Sequence, residues 1–225
     1  MKRKLIQGYP YISYSRPQIS GDESIEKSND FYHDLSHRRT VREFSTRPIP
    51  EEVITNLIKT AGSAPSGANK QPWTFCVVTN PLIKKQIRIA AEAEEKVNYA
   101  SRMSSTWIQD LKHLGTDWEK PFLEEAPALL VVFKQSYGIK DGQKIQHYYV
   151  SESVGIACGF LIAAIHQAGL VTVTHTPSPM NFLASILDRP DFEKPFLLLP
   201  IGFAKEETLV PDIVKKPLED ILVHY

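Results

Sequence analysis

Three guanidinium groups fall within five positions in the segment "HRRTVREFS", residues 37–45: Arg38, Arg39 and Arg42, with Thr40 and Ser45 supplying hydroxyls. A guanidinium fork donates two parallel hydrogen bonds and stays charged, which suits a phosphate or an electron-rich carbonyl rim. In an extended segment leaving a helix, Arg38 and Arg39 point to opposite sides, so the three could grip one ligand from its ends. The alternative is a solvated basic turn balanced by Glu43 and nearby aspartates. A second candidate is "GSAPSGANKQPW", Gly62 to Trp73, which places two glycines and two prolines between a helix pattern and a strand pattern. There Gly67 lets backbone approach a ligand closely, with neighbouring amides as donors, although a plain helix-to-strand turn would use the same residues. A third candidate is Glu95 with Tyr99, four apart on a charged helical stretch and hence on one face, where a carboxylate and a phenol could take up an ammonium. Such a pair is also common on plain helix surfaces. The segment from Ser101 to Glu119, with Trp107 and Trp118, reads as a mobile lid, and Lys120 lies just beyond it. His33 and His37 sit one helical turn apart without a third ligand of similar spacing, which makes them surface histidines rather than a metal site.

The elements that must position these residues are legible in the apolar pattern. Of 225 residues 42% are hydrophobic, enough for one full core. No linker divides the chain. Glu23 to Arg39 has the pattern of a surface helix. "PIPEEVITNLIKTAGSAPSG" opens with proline and two glutamates, repeats apolar residues at Val53, Ile54, Leu57, Ile58 and Ala61, and stops at Gly62. "WTFCVVT", "ALLVVFKQ", "LVTVTHT" and "FLLLPIGFA" read as central strands. Pro81 begins a long charged helix reaching at least Tyr99, and Tyr148 to Ala168, apolar on nearly every side, predicts a buried helix. Strands and helices alternate without strict βαβ order, which predicts an α+β fold with a central sheet sandwiched by helices.

Other functions lose ground on composition. Lysine plus arginine number 26 and aspartate plus glutamate 26, so no global field favours nucleic acid or an anionic membrane surface. The longest apolar run, "GIACGFLIAAI", is shorter than the roughly 20 residues a bilayer span needs, and the basic N-terminal stretch lacks an apolar signal core. A cytoplasmic location is the expectation. Cys76 and Cys158 are the only cysteines, each inside an apolar run, which excludes a disulfide framework and a structural zinc cluster. Signatures for dinucleotide binding, phosphate-loop hydrolysis, a nucleophile elbow and a zincin helix are absent.

Taken together, "RRTVREF", "APSGANKQPW" and the strand that follows resemble the flavoprotein nitroreductase superfamily. Within it, "EAEEKVNYASRM", "DWEKPFLEEAPALLVVFKQ", "HYYVSESVGIACG", "AGLVTVTHTP", "RPDFEKPFLLLPIGF" and "VPDIVKKPLEDI" resemble the iodotyrosine deiodinase family. The similarity runs from about Phe31 to Val223, leaving residues 1–30 as an N-terminal extension before a domain of residues 31–225, with a lid at about 100–120. The resemblance implies a mixed central sheet and an intertwined homodimer with FMN at the interface and a swapped C-terminal arm, here "PLEDILVHY". It implies FMN held by Arg38, Arg39, Thr40 and Arg42, by Pro65, Ser66 and Gly67, by Thr174, His175 and Thr176, and by Lys215. The Thr176 hydroxyl would meet the flavin ring nitrogen that is protonated on reduction, a bond that favours one-electron chemistry. Lys215 stands where vertebrate members carry arginine, and His175 where they carry threonine.

For the substrate, the resemblance implies a halotyrosine zwitterion, with Glu95 on its ammonium, Lys120 on its carboxylate, Tyr99 packing and hydrogen bonding, and the Ala68 amide on its phenolate. The implied activity is reductive dehalogenation of iodo-, bromo- or chlorotyrosine to tyrosine and halide. Electrons would come from a separate reductase or from NAD(P)H. A general FMN-dependent NAD(P)H nitroreductase or quinone reductase shares the arginine and "PSG" segments without needing Glu95, Tyr99 and Lys120. A non-catalytic flavin carrier or dimeric interaction domain is the remaining alternative.

Overall fold

The charged, amphipathic and wholly apolar segments resolve into eight strands and seven helices among residues 3–225, which a computed structural model describes. The chain divides after His37 into two units. In the first, β1 (Arg3–Ile6) and β2 (Tyr9–Ile12) form an antiparallel hairpin whose Gln7-Gly8 turn has positive φ at both residues, the geometry that matches strand twist. The helix α1 (Gly21–Ser36) follows, its N-terminus capped by Ser20, whose side chain accepts from the Glu23 amide, and favoured by Asp22 and Glu23 in the first turn.

The second unit, Arg38–Tyr225, carries the sheet. Its elements are α2 (Glu51–Gly62), a 3-10 turn at Gly67–Asn69, β3 (Trp73–Val78), α3 (Pro81–Val97) continued by a π turn at Asn98–Arg102, α4 (Ser105–Lys112) and α5 (Phe122–Glu125). After them come β4 (Ala128–Gln135), a hairpin of β5 (Tyr137–Lys140) and β6 (Gln143–Gln146), α6 (Val150–Gln167), β7 (Val171–Thr172), α7 (Asn181–Ile186) and β8 (Glu193–Gly202). Asn80 caps α3 by accepting from the amides of Leu82 and Ile83, with Pro81 in its first turn.

The strand order is β3-β4-β8-β7, antiparallel at every ladder. Only the isolated bridge between Thr40 and Thr172 is parallel, so the mixed character read from the sequence is confined to that edge. Side chains of β4 alternate across the sheet. Leu129, Val131 and Phe133 pack with Ile87, Ala91, Phe122, Leu123 and Leu183 from α3, α5 and α7. Leu130 and Val132 pack with Leu57, Ala61, Val154, Cys158, Leu161 and Ile165 from α2 and α6. Burial on both faces explains why β4 is apolar without interruption.

Two expectations change. Of the four strands read as central, only β4 and β8 are; β3 and β7 are edges. Strand pairing in "LVTVTHT" covers just Val171–Thr172, then a single bridge between His175 and Leu198, because the register sets Val173 opposite Pro200 of β8, which lacks the N–H a ladder needs. The helix α6 is not buried all round. Its 18 residues are apolar and long enough to cross a membrane (mean hydropathy 1.3), and the sheet and α2 cover one side, where Val154, Cys158, Leu161 and Ile165 are buried; Gly155, Ile156, Gly159 and Phe160 remain exposed. Cys158 is buried and Cys76 half-buried.

A buried lysine ties α3 to α5. The ammonium of Lys84 donates to the carbonyls of Glu124 (2.9 Å) and Ala126 (2.7 Å), where the chain leaves α5 for β4. Lys84→Met fills similar volume but strands two carbonyls, and is expected to cost about 2 kcal/mol of stability. Urea unfolding checks this; an unchanged midpoint would mean that those carbonyls are satisfied without the lysine.

Candidate active site

Near its C-terminus, α3 carries Glu95, and the π turn carries Tyr99. Both meet the chain between α4 and α5. Glu95 is 7% exposed and Lys120 3%, and their charged ends lie 3.8 Å apart. The Lys120 ammonium also donates to the Asp117 carbonyl and, at 3.4 Å, to the Thr116 hydroxyl; its backbone N–H donates to the Glu92 carboxylate at 2.8 Å. The Tyr99 hydroxyl donates to the Thr116 carbonyl at 3.2 Å, and the ammonium sits 5.7 Å from the centre of the Tyr99 ring. From the arginine segment, Arg42 donates to the Leu114 carbonyl at 3.4 Å. The three sequence-predicted side chains Arg42, Tyr99 and Lys120 therefore all fasten the segment Leu114–Asp117, and they do so through its backbone or a hydroxyl.

The charges in this cluster are short of solvent. Burial raises the Glu95 carboxyl above the usual carboxylate range although Lys120 opposes it, and lowers the Lys120 ammonium although Glu95 and Asp117 oppose that. Burial likewise lowers Arg42 and raises the Tyr99 phenol. In both members of the Glu95–Lys120 pair desolvation outweighs mutual attraction, as is common for buried ion pairs. An added zwitterion would give each charge a partner.

His175 is 7% exposed, its ring edge-on at 5.7 Å to Phe122, which lies two residues beyond Lys120. Its backbone is held on both sides by Leu198, N–H to carbonyl at 2.9 Å and carbonyl to N–H at 3.1 Å. Thr174 and Thr176, its neighbours, are exposed. Burial first, then Lys120 and Arg42, lower the imidazole to about 3, so it is neutral at physiological pH.

The glycine-containing loop belongs to a different neighbourhood. The Gly67 amide donates to Ser153 Oγ at 3.2 Å, and a Cβ at Gly67 would lie 2.7 Å from the Tyr148 carbonyl oxygen and 3.1 Å from the Tyr149 ring. Ala68, Asn69, Gln71 and Tyr149 all have left-handed φ near 50°, a concentration of strained backbone of the kind found at ligand sites. Pro65 and Ala68 are exposed and Ser66 half-buried. Arg39 donates to the Pro211 carbonyl, Arg38 is half-buried, and Lys215 lies on the exposed C-terminal segment. Within one chain the structure thus unites Arg42, Glu95, Tyr99, Lys120 and His175, while Pro65–Ala68 rest on the start of α6. A cleft of about 1050 Å³ opens beside the first group, between Arg42–Arg47, Gly115–Glu119 and Phe203–Glu206.

The residues overlooked in the sequence are Ser153, Tyr148 and the carbonyls of Leu114, Thr116 and Asp117. The polar opening Ser151-Glu152-Ser153 of an otherwise apolar helix was the available signal for the first. Backbone acceptors leave no signal.

Comparison with known proteins bears on this arrangement. Residues 35–203 match the nitroreductase family. The chain is 57% identical over 216 residues to the iodotyrosine deiodinase of Haliscomenobacter hydrossis, covering 96% of this chain and 97% of that relative. The chain belongs to the iodotyrosine deiodinase branch of the nitroreductase family. It is also 53% identical to the iodotyrosine deiodinase of Daphnia pulex, over 95% of this chain and 71% of that one. Among solved structures it is similar to an iodotyrosine deiodinase bound to FMN and 3-iodo-L-tyrosine, at TM-score 0.76 and 31% identity, covering 87% of this chain and 98% of the other. The α+β sheet described above is the nitroreductase-family fold.

The electrostatics of this deiodinase-family pair predict a stability cost. Glu95, with a folded pKa above its unfolded value, destabilises once pH exceeds that unfolded value of about 4.3; Lys120, with a lowered pKa, destabilises below about 10.4. Both costs are present together at neutral pH. The double variant Glu95→Gln/Lys120→Met is expected to be as stable as the parent, or more stable by about 1 kcal/mol, at pH 7 without ligand. Lys120→Met alone, which leaves a buried carboxylate, should lose about 3 kcal/mol. Thermal unfolding of the parent and the two variants decides; a double variant much less stable than Lys120→Met would show that the pair supports the fold.

Proposed function

We propose that this protein is an FMN-dependent reductive dehalogenase of halotyrosines, converting iodo-, bromo- or chlorotyrosine to tyrosine and halide. The observation that carries the reading is the buried Glu95–Lys120 pair with Tyr99 beside it, beneath a lid. These are the two opposite charges an amino-acid zwitterion requires, in a cluster where each lacks solvent. The solved relative bound to FMN and 3-iodo-L-tyrosine supports the same substrate class.

The residues fit a flavin phosphate and ring. Three arginines within five positions of the chain supply guanidinium forks that suit phosphate and carbonyl oxygens. Gly67 leaves no room for a Cβ in a loop whose amides are held in fixed directions, and Thr174 and Thr176 present exposed hydroxyls on either side of a pinned residue. Arg38, Arg39, Thr40, Arg42, Pro65, Ser66, Gly67, Thr174, His175, Thr176 and Lys215 would hold FMN. When bound, FMN supplies the reducing electrons, singly.

The chain does the rest by binding and exclusion. Glu95 accepts from the substrate ammonium, Lys120 donates to its carboxylate, and Tyr99 packs against it and hydrogen-bonds. The Ala68 N–H donates to the phenolate. With Leu114–Asp117 closed, water is excluded and the ring is oriented. Over the reaction a carbon–halogen bond is replaced by carbon–hydrogen: two electrons and a proton enter, and halide leaves. Discrimination rests on the zwitterion, because two buried charges left unmatched cost more than imperfect ring packing.

The site is completed, in this reading, by a second copy of the chain. The Pro65–Gly67 loop and the arginine segment have separate partners within one chain, and the exposed apolar face of α6, with Ile156 and Phe160, and the exposed C-terminal residues Leu218, Ile221, Leu222 and Val223 supply surface for it. An intertwined homodimer with a swapped C-terminal arm at residues 217–225 accounts for these features. The electron donor is a separate reductase or NAD(P)H, and the location cytoplasmic.

Three outcomes test this. Under anaerobic conditions, dithionite-reduced protein mixed with 3-iodotyrosine should yield tyrosine and iodide, and Glu95→Gln should weaken halotyrosine binding at least tenfold while FMN affinity changes little. No turnover, together with rapid NADH-driven reduction of nitroaromatics, would establish a general reductase instead. Gly67→Ala should shift the loop off Tyr148 and reduce FMN retention on gel filtration; full retention would place the flavin elsewhere.

A further inference from the structure

The main chain of Lys120 is tied to α3. Its backbone N–H donates to Glu92 Oε1 at 2.8 Å, across 28 positions of sequence. The same oxygen accepts from Arg88 Nε at 2.8 Å, and Arg88 also reaches the Glu124 carboxylate of α5 at 3.3 Å. On the other side, the Lys120 carbonyl accepts from the Leu123 N–H at 3.0 Å. The backbone of Lys120 is thus pinned between two helices, and only its side chain is left to adjust. Glu92 stands one turn before Glu95 on α3, so the two share a face. One helix therefore supports both charges of the buried pair, Glu95 directly and Lys120 through Glu92. Burial opposes ionisation of Glu92, but the hydrogen bonds from Arg88 and from the Lys120 N–H hold its carboxyl below the ordinary range.

We propose that Glu92 is a positioning residue for Lys120: by holding the lysine main chain against α3 it sets where the ammonium stands relative to Glu95, so that the pair can meet the carboxylate and ammonium of one amino acid. This rests on the reading of Glu95 and Lys120 as the zwitterion clamp. In this assignment Glu92 itself touches neither substrate nor flavin. A shift of the lysine backbone carries the ammonium with it, and a buried ammonium out of line with the substrate carboxylate keeps its desolvation cost while losing the hydrogen bond.

What Glu92 contributes is an oxygen at a fixed place, and its charge is incidental. Acting through space, a second carboxylate beside Lys120 would repel the carboxylate of the substrate. Glutamine at residue 92 keeps an oxygen where Lys120 and Arg88 need it and removes the charge, whereas alanine removes both. Position and charge are therefore separable by experiment.

The first readout needs no substrate. By hydrogen exchange, the Lys120 amide should be protected in the unmodified protein and in Glu92→Gln, and should exchange roughly tenfold faster in Glu92→Ala; an unprotected Lys120 amide in the unmodified protein overturns the proposal. The second readout is ligand titration of the FMN-loaded proteins. Glu92→Ala should weaken 3-iodotyrosine binding about tenfold, the worth of one hydrogen bond to a charged group, and should change binding of 3-iodotyramine, which has no carboxylate for Lys120 to meet, by less than about twofold. Glu92→Gln should recover most of the loss, and FMN retention should match the unmodified protein in both variants. Equal losses for the two ligands in Glu92→Ala would mean that Glu92 only supports the fold, and a Glu92→Gln as impaired as Glu92→Ala would mean that charge and not position matters; either overturns the proposal. Variants that bind 3-iodotyrosine as well as the unmodified protein does overturn it while leaving the halotyrosine reading intact. An unmodified protein that binds no 3-iodotyrosine brings down that reading, and the role of Glu92 with it.

Discussion

The cost of holding an ammonium away from water organises the functional half of this molecule. Lys120 is almost wholly buried, and a buried cation must be surrounded by acceptors or lose its proton. Glu95 comes from α3, the carbonyl of Asp117 and the hydroxyl of Thr116 come from the lid, and Tyr99 presents its ring face from the π turn. Each of these elements is held where it is by the sheet beneath. α3 and α5 pack on one side of β4, and the Lys84 ammonium joins them where α5 gives way to the strand.

The same side of the sheet explains the place of His175. The chain leaves β7, passes opposite Pro200, which has no N–H to give, and touches β8 once more at Leu198. That single bridge turns residue 175 inward and its two threonine neighbours outward. A segment of three residues can therefore serve two surfaces, the threonines facing outward and the imidazole lying edge-on to Phe122. The strain at Ala68, Asn69, Gln71 and Tyr149 is concentrated on the sheet's other face, where the 3-10 turn meets the start of α6.

Much of this was readable from the chain alone, and what was not has identifiable causes. The boundaries of α2 and β4 follow from Pro50, Gly62 and an unbroken apolar run. The Glu95, Tyr99 and Lys120 set was visible as residue types, and i,i+4 spacing put the first two on one face. That they enclose a buried ion pair was not visible, since Lys120 is 25 residues from Glu95 and the lid folds back between them. Apolar patterning overstated the centrality of β3 and β7, because it reports burial and not how many neighbours a strand pairs with. It overstated the burial of α6 for a related reason: apolar composition does not say which faces of a helix the rest of the chain covers, and the sheet and α2 cover one. The role of Gly67 needed coordinates, since its constraint is a carbonyl more than eighty positions away.

The segment between α4 and α5 is fastened at Leu114, Thr116 and Asp117 almost entirely through main-chain oxygens. Those atoms are present whatever side chains the segment carries. Its sequence is thereby free to drift, whereas inserting or deleting a single residue would slide every oxygen out of register, so that length and not composition is what divergence in this loop has to respect.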